Sequence, residues 1–127
     1  MNMLSGGTVT DFELSAKLFK TLMHPARLEI LDILRGGEAC VCHMEAALGY
    51  RQAYISQQLM VLREAGLVQD RREGWNIFYR VVQPAVYEVI DAALRTVGKS
   101  KVAARRKATR IASCTCPTCQ PLEKTPA

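Results

Sequence analysis

The sequence predicts an α+β fold, mainly α: a winged helix-turn-helix of five helices and a two-stranded wing. Three observations carry this. Two helical apolar patterns meet at a proline, Pro25. A short helix and a longer one are then separated by a three-residue turn that opens on Gly49. Finally the periodicity changes from helical to strand-like for one hairpin before a last helix.

Taken in order, Phe12, Leu14, Leu18, Phe19, Leu22 and Met23 are spaced for an amphipathic first helix over residues 10–23. It ends near His24, because a proline disfavours the helical conformation of the residue before it. Pro25 opens a second helix, carried by Leu28, Ile30, Leu31, Ile33 and Leu34 and closed by Gly36-Gly37. The third runs from about Cys42 to Leu48 and stops at Gly49. The fourth opens at Gln52, runs to about Ala65 and is closed by Gly66, with Ile55, Leu59 and Leu62 inward. Leu67–Arg72 and Trp75–Val82 read as two strands with Glu73-Gly74 as their turn. Pro84 starts a fifth helix bearing Val86, Val89, Ile90, Ala93, Leu94 and Val97. A domain this small is not expected to cover that stripe alone, so a two-fold dimer through the first and fifth helices is expected.

The chain has 127 residues, enough for one domain, with 49% hydrophobic and 23% charged residues. No apolar run approaches the ~20 residues of a membrane span. The stretch Met1–Gly7 has neither the basic nor the apolar region of a secretory signal. The expectation is a cytoplasmic protein with no membrane partner and no small organic substrate. Net charge is +5, but residues 1–98 hold 10 basic and 11 acidic side chains. The basicity belongs to a tail over residues 99–127, where Lys99, Lys101, Arg105, Arg106, Lys107 and Arg110 carry no acid between them. That run is either a solvated tail or an arm for DNA phosphates. The end of the tail is expected to be loosely ordered unless something ties it down.

A helix-turn-helix reads DNA with the first turns of its second helix, where side chains must donate and accept at base edges. Gln suits adenine and Arg suits guanine. Arg51, Gln52, Tyr54, Ser56, Gln57 and Gln58 fit that need, and Arg71 and Arg72, placed at the wing tip, supply cations for phosphate. Tyr54 serves equally as a packing residue against the third helix. Specificity for double-stranded operator DNA therefore falls to a nearly uncharged helix.

Leu18–Leu22, His24–Leu31, Ala39–Met44, Ser56–Val68 and Arg71–Arg80 resemble, block by block and in order, the ArsR/SmtB family of metal-responsive repressors. The similarity spans about residues 12–97. It implies a homodimer joined by the first and fifth helices, and repression of a metal-resistance operon that ends when metal binds. Two positions depart from the pattern. Arg51 stands where the family commonly has Ser, adding a cation near DNA, and His24 replaces an Asp, leaving a weaker cap.

Five cysteines, Cys40, Cys42, Cys114, Cys116 and Cys119, form two clusters and point to metal or redox chemistry rather than a disulfide framework. The resemblance assigns Cys40-Val41-Cys42 to the family's metal-binding Cys-Val-Cys. Residues i and i+2 of a regular helix point ~200° apart, so both sulfurs reach one ion only where the turn is non-helical or distorts. Two thiolates do not fill a shell. Some family members have a third Cys three positions on, where this chain has Glu45. Cys114, Cys116 and Cys119 are the expected completing ligands. The effector is then a thiophilic ion: As(III) or Sb(III) are favoured, with Cd(II) or Pb(II) as alternatives. His43 and His24 read as surface and structural residues. The fifth helix carries Glu88 and Asp91 without His, which disfavours a zinc site there.

Three rivals remain. A thiol redox or persulfide switch would keep the DNA function, although the single cysteines such relatives place on the second and fifth helices are missing here. Cys116-Pro117-Thr118-Cys119 has oxidoreductase spacing but lacks a thioredoxin-like context, so no enzyme is expected. A metal-storage protein would leave the winged-helix blocks unexplained.

Overall fold

The computed structural model describes residues 9–99; the basic run from residue 100 onward and Cys114, Cys116 and Cys119 lie outside the described residues. The helices are α1 (Asp11–Leu22), α2 (Pro25–Leu34), α3 (Val41–Leu48), α4 (Gln52–Glu64) and α5 (Ala85–Thr96). The strands are β1 (Ala39–Cys40), β2 (Val68–Glu73) and β3 (Asn76–Val81). Among the described residues no helix is long and apolar enough to cross a membrane.

Local chemistry sets the ends of these elements. Thr10 and Glu13 form a reciprocal capping box at the start of α1, both bonds 3.0 Å. His24 flanks α2 without a side-chain cap, as the replacement of Asp implied, and Pro25 supplies the first helical residue. α3 stops where Gly49 turns left-handed at φ 79°, a conformation costly for a residue with a Cβ.

The core lies where α2, α3 and α4 meet over the sheet. Ile30, Leu31, Ile33, Met44, Ile55, Leu59 and Leu62 are fully buried. Tyr87 ties α5 to α2 by donating its hydroxyl to the Leu31 carbonyl at 2.6 Å, and Arg35 lies over the same ring while pairing with Asp91 at 3.2 Å. α1 contributes only Leu22 to the buried set and leaves Phe12 86% and Phe19 58% exposed, with Met23 just past its end 69% exposed.

The two-stranded wing is present as β2 and β3. A third strand joins its sheet, in the antiparallel order β1-β3-β2. β1 has two residues, Ala39 opposite Tyr79 and Cys40 opposite Phe78, too few to show any alternation in the sequence. The hairpin turn is Gly74-Trp75 rather than Glu73-Gly74, because Glu73 pairs with Asn76. Gly74 has φ 61°, as the first central position of a type II′ turn requires.

Candidate DNA-reading face and cysteine site

The recognition face follows from how α4 is seated. Ile55, Leu59 and Leu62 anchor it to the core. Gln52, Ser56 and Gln57 then face solvent, with Arg51 exposed at the turn. Gln58 does not join them. It is 8% exposed, and its Oε1 accepts a bond of 2.9 Å from Arg27 Nε. Arg27 also donates Nη1 to the Thr21 carbonyl at 2.9 Å, so Gln58 belongs to a polar lock joining α4, α2 and the end of α1. Gln58→Ala is therefore expected to lower stability by about 1–3 kcal/mol, the cost of leaving a partly buried donor unpaired. Base preference should be untouched; urea unfolding and operator titration together check this. The Tyr54 ring lies 5.1 Å from that of Tyr50 in the preceding turn, tilted by 59°, and Tyr54 stays 37% exposed; the Tyr50 hydroxyl donates to Glu29 Oε1 at 2.7 Å.

Neighbouring residues of a strand point to opposite faces of the sheet, and this separates the two wing arginines. Arg71 stands three residues before the turn glycine and faces Phe78, its cross-strand partner. It donates to both oxygens of Glu38, at 3.1 and 2.6 Å, and to Glu73 at 2.6 Å. The Arg71 hydrogen bonds hold the Glu38 carboxyl below the usual carboxylate range. Arg72 lies on the other face, exposed. The tip itself is Trp75, 99% exposed; it stands in the turn, not at the head of the second strand where the sequence pattern places it.

The two cysteines of the third-helix entry converge. Cys40 is extended, with φ −91° and ψ 163°, and stands outside the helix as its N-cap; Cys42 lies in the first turn. Their sulfurs are 2.6 Å apart while α3 stays regular. The two sulfurs thus converge on one side of the helix entry. Two metal–sulfur bonds of about 2.3 Å set their sulfurs about 3.5 Å apart, so an ion held by both must spread the pair. Cys40 Sγ also accepts the His43 N–H at 3.3 Å, so a ligand on this sulfur competes with a helix cap. Cys40 is buried and Cys42 half-buried.

His43 is buried rather than on the surface, and burial pushes its pKa down toward the neutral imidazole. Its position three residues after Cys40 turns it inward with Met44. No group of three or more Cys, His, Asp or Glu side chains is placed to hold a metal ion among the described residues. A cleft of about 130 Å³ has Cys40 and Cys42 on one wall, Gln52 and Ser56 on another, and Trp75 and Asn76 on a third. The two cysteines, the start of α4 and the tip of the wing therefore line one cleft.

A family model for bacterial regulatory proteins of the arsR family matches residues 24–70, from the start of α2 into β2. A biofilm growth-associated repressor of Agrobacterium fabrum is 51% identical over 77 residues, covering 61% of this chain and 66% of that protein, so the chain spans about two thirds of that relative's length. An arsenic resistance transcriptional regulator of Pseudomonas putida is 40% identical over 93 residues, 72% of each chain. A homodimeric winged helix-turn-helix DNA-binding domain from Mycobacterium bovis superposes with a TM-score of 0.64 at 27% identity, over 84% of this chain and 98% of that one. These relatives are transcriptional regulators, not enzymes. The fold, the order of the sequence blocks and these similarities agree: the chain belongs to the ArsR family of bacterial regulatory proteins.

Proposed function

We propose that this protein is a homodimeric repressor of a metal(loid)-resistance operon, released from its operator when a thiophilic ion binds Cys40 and Cys42. The observation that carries the effector assignment is the 2.6 Å approach of the two sulfurs at the entry to the helix bracing α4. Soft thiolates select As(III), Sb(III), Cd(II) or Pb(II) over hard cations. Cys114, Cys116 and Cys119 complete the shell in this reading. The similarity to an arsenic resistance regulator supports the metalloids.

Operator reading is assigned to Gln52, Ser56 and Gln57, with Arg51 beside them and Arg72 on phosphate. Gln57→Ala is expected to weaken specific binding by about 1–3 kcal/mol and relax base preference at one position of each half-site. Arg72→Ala is expected to weaken all sequences alike and reduce the salt slope by about 1. Anisotropy of labelled operator and of random duplex at several salt concentrations separates the two. Equal operator and random-DNA affinities for wild type and Gln57→Ala would place the recognition surface elsewhere.

The dimer is assigned to α1 and α5. Phe19, Met23, Ile90, Leu94 and Val97 line an apolar groove of about 320 Å³ between them. A second copy related by a two-fold axis covers such a groove on both partners at once and sets two recognition helices on a palindrome. The effector panel is the deciding experiment: operator release by arsenite, antimonite, Cd(II), Pb(II) and Zn(II) under reducing anaerobic conditions. Release by Zn(II) alone would overturn the reading.

A further inference from the structure

Neither base reading nor metal binding requires the contacts that hold Arg71. Arg71 belongs to the wing, while Glu38 lies two residues before Cys40. Arg71 Nε and Nη2 grip the two oxygens of Glu38 in the fork geometry that gives a guanidinium–carboxylate pair its direction. The guanidinium lies 4.8 Å from the centre of the Phe78 ring. Phe78, on the central strand, is the register partner of Cys40 on one side and Arg71 on the other. Cys40, Phe78 and Arg71 thus form one row across the sheet, and the Glu38–Arg71 pair bridges over it from wing to thiol segment.

We infer that this row is the linkage by which the state of the Cys40–Cys42 pair sets the position of the wing, with Arg71 as a positioning residue rather than a phosphate anchor. The inference rests on the reading of that pair as the effector site. β1 is two residues long, so the sheet ladder alone fixes the Cys40 segment weakly. The charged fork adds a directional tie that a shift of Cys40 must either drag or break. Coupling then follows, because the wing and the thiols bias one shared arrangement. Trp75, at the tip of the same hairpin and the chain's only tryptophan, reports the wing's surroundings.

The test uses the full chain as wild type, Arg71→Gln, Arg71→Lys, Glu38→Gln and the charge-swapped pair Glu38→Arg/Arg71→Glu. Cd(II) is titrated under reducing conditions with three readouts: thiolate-to-metal absorption in the ultraviolet, Trp75 emission, and anisotropy of labelled operator. Arg71→Gln is expected to bind Cd(II) with wild-type stoichiometry and to bind operator, without metal, within about threefold of wild type. The factor by which Cd(II) weakens operator binding should fall about tenfold, within the usual range of allosteric couplings. The Trp75 response to Cd(II) should vanish with it. Arg71→Lys and Glu38→Gln should fall between, and the swapped pair should recover part of both signals. Unchanged Cd(II) release in Arg71→Gln, with Cd(II) bound, overturns the linkage alone. So does a loss of metal-free affinity for all DNA with a flatter salt slope, which would make Arg71 a phosphate anchor. A wild-type chain that shows no thiolate absorption with Cd(II) and none with arsenite overturns the effector reading, and the linkage with it.

Discussion

Cys40→Ser and Cys42→Ser are expected to keep operator binding and lose the response to thiophilic ions. Serine is a favoured N-cap, so at position 40 its hydroxyl can accept the His43 N–H that the sulfur now accepts at 3.3 Å. α3 and the helix it braces therefore persist, and metal-free affinity stays near wild type. A neutral hydroxyl is a poor ligand for a soft ion. The ~5–150-fold weakening that effector coupling typically produces should shrink to about one. Chain truncation after Ser113 should weaken ion affinity and spare DNA binding, since it removes three candidate ligands and none of the reading residues. Operator anisotropy titrated with arsenite and separately with Cd(II) gives both results. A Cys40/Cys42 double Ser variant that lets go of DNA at the wild-type ion concentration would show the sensor to be elsewhere.

The second large effect is expected from Leu94→Asp. Leu94 lines the groove between α1 and α5, next to Val97, which is 78% exposed in a single copy. An Asp placed there would lose its water on dimerisation without gaining a partner, which an interface tolerates poorly. Sedimentation should find a monomer at micromolar concentration, with circular dichroism unchanged because Leu94 is outside the buried core. Affinity for the full palindrome should fall by about 10²–10⁴, the gain that linking two binding modules provides, whereas affinity for an isolated half-site should hold. A wild-type monomer with full operator affinity would end the dimer proposal.

Part of the site's geometry is already carried by spacing in the sequence. Gln58 lies three positions after Ile55 and four before Leu62, so the periodicity that buries those residues buries Gln58 as well. Its amide suits a base edge, but its place on the helix turns it toward Arg27. Strand alternation places Arg71 and Arg72 on opposite faces of the sheet, a separation that the adjacent pair already carried in the sequence. His43 gave less warning, since an eight-residue helix carries little periodicity.

The sequence by itself determined the order and kind of the elements, because each rests on local chemistry. Pro25 separates α1 from α2, Gly49 and Gly66 end two helices, and the apolar spacing of α4 and α5 states which faces seek cover. It also placed Cys40 and Cys42 at a helix entry. Only the tertiary structure decided what meets across the chain. β1 exists because Ala39 and Cys40 find the free edge of β3, a pairing some 40 residues away with no local trace. Glu38 holds Arg71 across 33 residues, and Arg27 holds Gln58 across 31. Such contacts depend on how packed elements bring distant side chains within hydrogen-bond range, and local propensity and periodicity do not encode that distance.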